Sequence, residues 1–136
     1  MVEVLVSVSI VGVTFVTLYT ALSSGFGFVQ LARENLRGTQ ILQEKMETLR
    51  LYTWDQINTA GFIPGTFTDN FFATTNGNGG LVYTGAVSIA SAPVTETYSN
   101  DLKLVTVQVR WKSGKVLRTR EMKTFIGRNG LQTYIY

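Results

Sequence analysis

The sequence predicts an α+β fold in which a long N-terminal α-helix packs on a small C-terminal antiparallel β-sheet. No charged residue occurs between Val4 and Ala32, and apolar residues then recur at helical spacing as far as about residue 54. After residue 58 short alternating stretches are separated by Gly, Pro and Asn, which is typical of strands and turns. The predicted parts are an apolar helix over 1–28, an amphipathic helix over 29–57, and a sheet with its loops over 58–136.

The amino-acid composition argues against several classes of function. Charged residues make up 15% of the chain, below the usual quarter, so part of the surface is expected to lie in lipid or against partners. The absence of cysteine excludes disulfides and thiolate metal sites, and the absence of histidine removes the commonest general base and metal ligand. We therefore expect no catalytic residues, no metal and no cofactor, and a protein that is not an enzyme.

The N-terminal helix is predicted to have two regimes. Residues 1–28 are apolar on all faces, which indicates a helix buried all round, and about 20 such residues span a bilayer. A cleavable signal peptide is disfavoured because no basic residues precede the apolar run and the run is about twice the usual length. At about 1.5 Å per residue, a continuous helix would form a rod about 78 Å long. Weak points of this rod are predicted at Gly12, at the stretch Ser23–Gly27 and at Gly38, and the cluster at 23–27 predicts a bend or a locally unwound segment.

The C-terminal part is predicted to be a small antiparallel sheet whose apolar face is covered by the amphipathic helix. A change of alternation between Leu104 and Val105 predicts a β-bulge, and Ser113-Gly114 predicts the tight turn of a hairpin. The predicted strands are Thr66–Phe72, Leu81–Ala90, Leu102–Trp111, Lys115–Gly127 and Leu131–Tyr136.

Glu3 places a carboxylate at the tip of the most hydrophobic segment. An unpaired carboxylate in the middle of a bilayer costs about 2.5–3.5 kcal/mol. In one interpretation Glu3 lies at the membrane surface, where this cost is small. In the other it pairs with a positive group in a bundle of helices, most simply the N-terminal ammonium of an adjacent copy. Such a pair would set the register of assembly.

The stretch VEVLVSVSIVG at residues 2–12 resembles the class III signal and N-terminal helix of type IV pilins and type II secretion pseudopilins. The layout of a long helix followed by an antiparallel sheet is also similar to that family. The resemblance implies a pilin fold and a structural subunit of a type IV pilus-like extracellular filament. In that filament Glu3 would pair with a neighbouring subunit's N-terminus. The filament-core helix would present Val4, Leu5, Val8, Ile10, Val11, Phe15, Leu18 and Leu22.

The same resemblance implies how the chain is processed and where it is located. A prepilin peptidase would cut the precursor, the new N-terminus would be methylated, and the apolar helix would hold the protein in the inner membrane beside an assembly machinery before export to the cell surface. Glu3 lies two residues after Met1, where the family has four, so we expect a leader and two mature residues to precede Met1. Many pilins unwind at a proline that is missing from residues 18–22, which leaves Gly12, Gly25 or Gly27 as the sites of unwinding.

Several alternatives stay open. The missing proline and the missing family disulfide favour a minor pilin or pseudopilin that primes or caps a filament. A protein of another class would be a single-pass membrane-anchored binding domain. Between Lys103 and Arg128 lie eight basic residues and one acid, Glu121. This segment could meet nucleic acid or an acidic face of a sister subunit, but a solvated strand face is the favoured interpretation. The pairs Asp69-Asn70 and Asn100-Asp101 are interpreted as turns in preference to calcium ligands.

Overall fold

The computed structural model describes residues 1–72 and 79–130 and has the α+β fold that the sequence predicts. The chain divides into two compact units, Met1–Asn35 and Leu36–Tyr136. A short 3-10 helix, Ser99–Asp101, precedes the third strand. The elements in chain order are α1 Val2–Arg50, α2 Trp54–Asn58, β1 Thr66–Asn70, β2 Val82–Ser91, β3 Leu102–Ser113 and β4 Val116–Gly127.

Helix α1 runs from Val2 to Arg50 without a break, and so it is continuous through the three glycines at which the sequence predicts bends or unwinding. Unwinding in an assembled filament stays a prediction. The helix ends before the predicted residue 54 because Thr53 is extended and caps a new helix. The Thr53 hydroxyl accepts a hydrogen bond from the Gln56 amide at 3.4 Å, and the Gln56 side chain accepts one from the Thr53 amide at 2.9 Å. This capping box starts α2.

The four strands form one antiparallel sheet in the order β1-β2-β3-β4. All four lie where alternation predicts them, whereas the strand predicted at Leu131–Tyr136 lies outside the described residues. The predicted bulge is wrong, because β3 pairs residue for residue with both neighbours, with Leu104 opposite Phe125 and Val105 opposite Thr124. The change of alternation has another cause: Leu102 and Leu104 lie on the outer face of the sheet, whereas the buried residues that start at Val105 lie on the inner face.

The core lies between the inner face of the sheet and the part of α1 that belongs to the unit Leu36–Tyr136. The prediction that the amphipathic part of the helix covers the sheet is therefore confirmed. Trp111 packs on the helix at Gly38, where an added Cβ would lie 3.1 Å from the indole ring. Glycine at this position lets the helix and the ring approach. The buried side chains are Ile41, Leu42, Met46, Leu49, Ile57, Tyr83, Val105, Val107, Val109, Trp111 and Ile126.

Besides its backbone pairing with β2, strand β1 is attached to the rest of its unit by the side chain of Phe67 and by Arg37. The Phe67 ring lies over its cross-strand partner Gly85, and a Cβ at Gly85 would overlap the ring. The Lys45 ammonium lies 4.8 Å from the centre of the same ring, which is within range of a cation–π contact. Arg37 is the second attachment: its guanidinium lies 3.5 Å from the Asp69 carboxylate and 3.4 Å from the Asn70 carbonyl.

We predict that Gly85→Ala lowers the free energy of unfolding by about 1–3 kcal/mol, because the Phe67 ring must leave the position that the new methyl group takes. The measurement is urea unfolding of the detergent-solubilised chain, followed by tryptophan fluorescence. Gly65→Ala is the control, since a Cβ there meets nothing nearer than the Val87 carbonyl at 3.9 Å. Its effect should stay within about 0.5 kcal/mol. Equal effects of the two substitutions would contradict the packing of Phe67 on Gly85.

Candidate functional site

The unit Met1–Asn35 is the candidate assembly surface because its apolar side chains have no cover within the described residues. Every residue from Met1 to Gln30 is exposed. The eight residues predicted for the filament core have between 53% and 69% of their surface accessible. Isolated apolar residues on a surface need no explanation, but a contiguous patch of this length marks a membrane or protein interaction site.

Six of the eight predicted core residues fall on one stripe of α1. Their spacings alternate between four and three, so at about 100° per residue they stay within about 40° of a common line. Leu5 flanks this stripe and Ile10 lies on another side of the helix. We call the stripe the ridge; its residues are Val4, Val8, Val11, Phe15, Leu18 and Leu22.

A shallow groove follows a different face of the same helix, centred about 150° around the axis from the ridge. It exists because Gly12 has no side chain and because the serine and the threonines around it are short. Small residues of this kind let two helices approach closely. The groove is lined by Ser9, Gly12, Val13, Val16, Thr17 and Thr20.

The hydroxyl groups of this helix do not make it polar towards its surroundings. Most of those in the apolar segment donate to the carbonyl four residues earlier, as Ser9 does to Leu5 at 2.7 Å and Thr14 to Ile10 at 2.8 Å. Ser7, Thr17, Thr20 and Ser24 make the same bond. A helix whose polar groups are satisfied internally suits a hydrocarbon environment. By length and composition α1 contains a candidate membrane span near the N-terminus.

Glu3 lies exposed in the first turn of α1. A carboxylate is favourable there because the first turn leaves backbone N–H groups unpaired and carries a partial positive charge. Within the described residues the Glu3 carboxylate forms no ion pair, whereas Glu44, Glu47 and Asp69 each pair with an arginine. Its charge is therefore available to a positive group outside the chain, and its role in assembly stays a prediction.

The glycines Gly12, Gly25 and Gly27 are helical, and an added Cβ at any of them meets nothing within 4 Å. They are therefore not required by packing inside the described chain. Gly12 differs from Gly25 in its place, because Gly12 lies in the groove and Gly25 lies outside it. Bare backbone in a groove is a surface that a second helix can contact.

The interpretation of Asp69-Asn70 as a turn is wrong, because both residues end β1, whereas Asn100-Asp101 lies in the 3-10 helix before β3. The acidic residues of both pairs take part in ion pairs. Asp69 pairs with Arg37, and its Oδ1 also accepts the Asn70 amide at 2.7 Å. Asp101 pairs with Arg128 at 3.2 Å. In the described parts of the chain, no group of three or more acidic residues could hold a metal ion.

Comparison with protein-family models, with curated proteins and with solved structures finds no match to this chain. The site therefore rests on the geometry of α1 itself. The groove is not among the features predicted from the sequence, although small residues recur there at helical spacing from Ser9 to Thr20, on a face away from the large ones. Gly12 was singled out for unwinding and not for packing.

We predict that Phe15→Lys with Val16→Lys removes the chain from the membrane, because each lysine near the middle of the span costs about 2.5–3.5 kcal/mol. The measurement is the fraction of protein that resists carbonate extraction. Phe28→Lys with Val29→Lys is the matched control: the same charge lies at the end of the apolar segment, where lysine reaches the surface. The control should stay in the membrane. Equal extraction of both variants would contradict a spanning helix.

Proposed function

We propose that this chain is a structural subunit of a type IV pilus-like extracellular filament. The apolar segment Val4–Phe28 holds the protein in the inner membrane before assembly, and afterwards it packs against the same segment of other copies. The observation that carries the proposal is an apolar helix with an uncovered ridge and an uncovered groove, continuous in sequence with the helix that supports the sheet. The resemblance of residues 2–12 to the N-terminal helix of type IV pilins supports it further.

The hydrophobic effect supplies the driving force outside the membrane. Burying apolar surface gains about 25 cal/mol per Å², and residues 4–28 are exposed along their whole length. Once this segment leaves the lipid, the same segment of other copies of the chain would bury its apolar surface. A ridge that enters a groove on a different face makes a heterologous contact, and repetition of such a contact produces an open helical filament.

Glu3 gives this packing its register. A carboxylate surrounded by apolar helices is strongly disfavoured unless a positive group lies beside it, and the amino group at the start of a neighbouring helix provides one. A subunit that is displaced along the axis would leave both charges unpaired. The pair therefore selects one axial position among the many that an apolar helix could adopt.

We predict that Glu3→Gln abolishes filaments while the protein stays in the membrane. Leaving one member of a buried ion pair unpaired costs about 3–5 kcal/mol, which corresponds to more than about a hundredfold loss of affinity between subunits. The measurements are electron microscopy of the sheared extracellular fraction and the amount of protein in membranes. Glu47→Gln is the control, because Glu47 is exposed on α1 and pairs with Arg50 only three residues away. Filaments of normal number and length from Glu3→Gln would overturn the role of Glu3.

We also predict that Gly12→Leu reduces assembly at least tenfold, because its side chain fills the groove that receives the ridge of a neighbour. Gly25→Leu is matched to it. Both glycines are helical with open space around them, so both substitutions gain the same helix propensity, but only Gly12 lies in the groove. Filament yield is measured by immunoblot of the sheared fraction. A larger loss from Gly25→Leu would contradict the proposed packing.

The same preparations separate the other candidate functions. Long filaments of this chain alone support a major subunit. Short filaments, or filaments that carry this chain only at one end, would indicate a minor pilin or pseudopilin. Detergent-solubilised monomers without any extracellular material would indicate a single-pass membrane-anchored binding domain. Mass spectrometry of the purified chain tests processing by a prepilin peptidase and N-terminal methylation.

A further inference from the structure

The β3–β4 hairpin ends in a tip that combines exposed apolar side chains with cations. We call residues 112–118 the hairpin tip; their sequence is KSGKVLR, which contains no acidic residue. Val116 and Leu117 are 54% and 67% exposed. Lys112, Lys115 and Arg118 form no ion pair within residues 1–72 and 79–130, unlike Lys123, which pairs with Glu121 at 2.9 Å.

The register distributes these side chains around the whole tip. Lys112 and Leu117 are partners on the outer face of the sheet, whereas Ser113 and Val116 are partners on the inner face. Arg118 is the partner of the buried Trp111, and so it lies on the inner face as well. The tip therefore presents apolar and cationic groups on both faces at one end of the sheet.

This end of the sheet is the one at which the helical part of the unit Leu36–Tyr136 begins. Trp111, just before the tip, packs on Gly38, and Arg37 reaches Asn70 at the end of β1. The opposite end of the sheet carries Ile126, far along β4 from the tip. In the sequence, Leu36 follows the uncharged stretch that ends at Ala32 by four residues. If residues 4–28 are held in a bilayer, the membrane surface is expected near the start of this unit.

We propose that the hairpin tip contacts the phospholipid headgroups of the membrane that holds residues 4–28. The lysines and Arg118 would lie against anionic phosphates while Val116 and Leu117 enter the interfacial layer. Both kinds of group strengthen binding to an anionic lipid surface. This inference rests on the membrane-resident stage of the proposed function and does not require a filament.

Lipid fits the tip better than nucleic acid does. Nucleic-acid phosphates would use the cations but would gain nothing from exposed Val116 and Leu117. The stacking of bases requires an accessible aromatic ring, and Trp111, the aromatic residue that directly precedes the tip in sequence, is only 2% exposed. The tip itself contains no aromatic residue. A bilayer interface uses the aliphatic side chains and the cations together.

The test uses the full chain in phospholipid vesicles. Because the chain contains no cysteine, Ser113→Cys gives a single site at the tip for an environment-sensitive fluorophore. The control is Ser91→Cys, an exposed position at the opposite end of the sheet, opposite Lys103. We expect a blue-shifted emission from the tip label in vesicles that contain phosphatidylglycerol. In phosphatidylcholine alone the shift should be small, and about 1 M salt should remove the difference because it shortens the Debye length to about 3 Å.

Substitutions show which side chains make the contact. The equilibrium constant for contact between the tip and the lipid surface follows from the emission of the tip label. Each cation near an anionic surface raises this constant about fivefold, so Lys112→Ser with Lys115→Ser should lower it about 25-fold. Val116→Ser with Leu117→Ser should lower it as well. Lys123→Ser with Arg128→Ser removes the same charge away from the tip and should change it little.

Four outcomes would overturn the inference. The first is equal emission from the tip label in both lipids, and the second is an equal shift from the label at Ser91. The third is an equal loss from the control pair Lys123→Ser and Arg128→Ser, which would mean that net charge alone attracts the unit. The fourth is a response of the tip label to duplex DNA but not to phosphatidylglycerol vesicles. None of these outcomes depends on filament formation, so each is distinct from failure of the proposed function.

Discussion

The rest of the structure depends on one constraint: the apolar side chains of residues 4–28 must be shielded from water. Nothing in the described chain shields these side chains, and an apolar helix exposed on every face cannot stay in water. Lipid covers all faces without regard to shape. In the proposed filament a neighbouring copy would cover only a face that fits it, so the ridge and the groove would matter for assembly but not for insertion. The same side chains would then be covered first by lipid and later by protein.

In the unit Leu36–Tyr136 the second part of the same helix is covered by the sheet of its own chain. There the helix is apolar on one face only, and that face is buried by alternate residues of β3 from Val105 to Trp111. Two glycines make the fit close, Gly38 beneath the indole and Gly85 beneath the Phe67 ring. The apolar face of this part of the helix is thus covered by its own sheet, while the apolar segment before it is exposed among the described residues.

Much of the fold was predictable because it follows from periodicity. Alternation located the four described strands, and helical spacing identified the covering face of α1. Alternation alone does not say which face of a strand is covered, and so Leu102 and Leu104 were misread as the sign of a bulge. The end of α1 was placed too late because the capping box at Thr53 and Gln56 was overlooked, although both residues are visible in the sequence. The position of the hairpin tip beside the start of the helical part required the register and the contact of Trp111 with Gly38.

The role of Glu3 could not come from one chain, because its expected partner belongs to another copy. The central claim, that lipid and then sister helices cover the same segment, is tested most directly by single cysteines placed in turn from Val4 to Phe28. Their reaction with a water-soluble maleimide is measured in isolated membranes and in sheared, lipid-free extracellular material. The account predicts protection of the ridge and the groove in both. Ready labelling of these positions in the extracellular fraction, or the absence of the chain from it, would contradict the account.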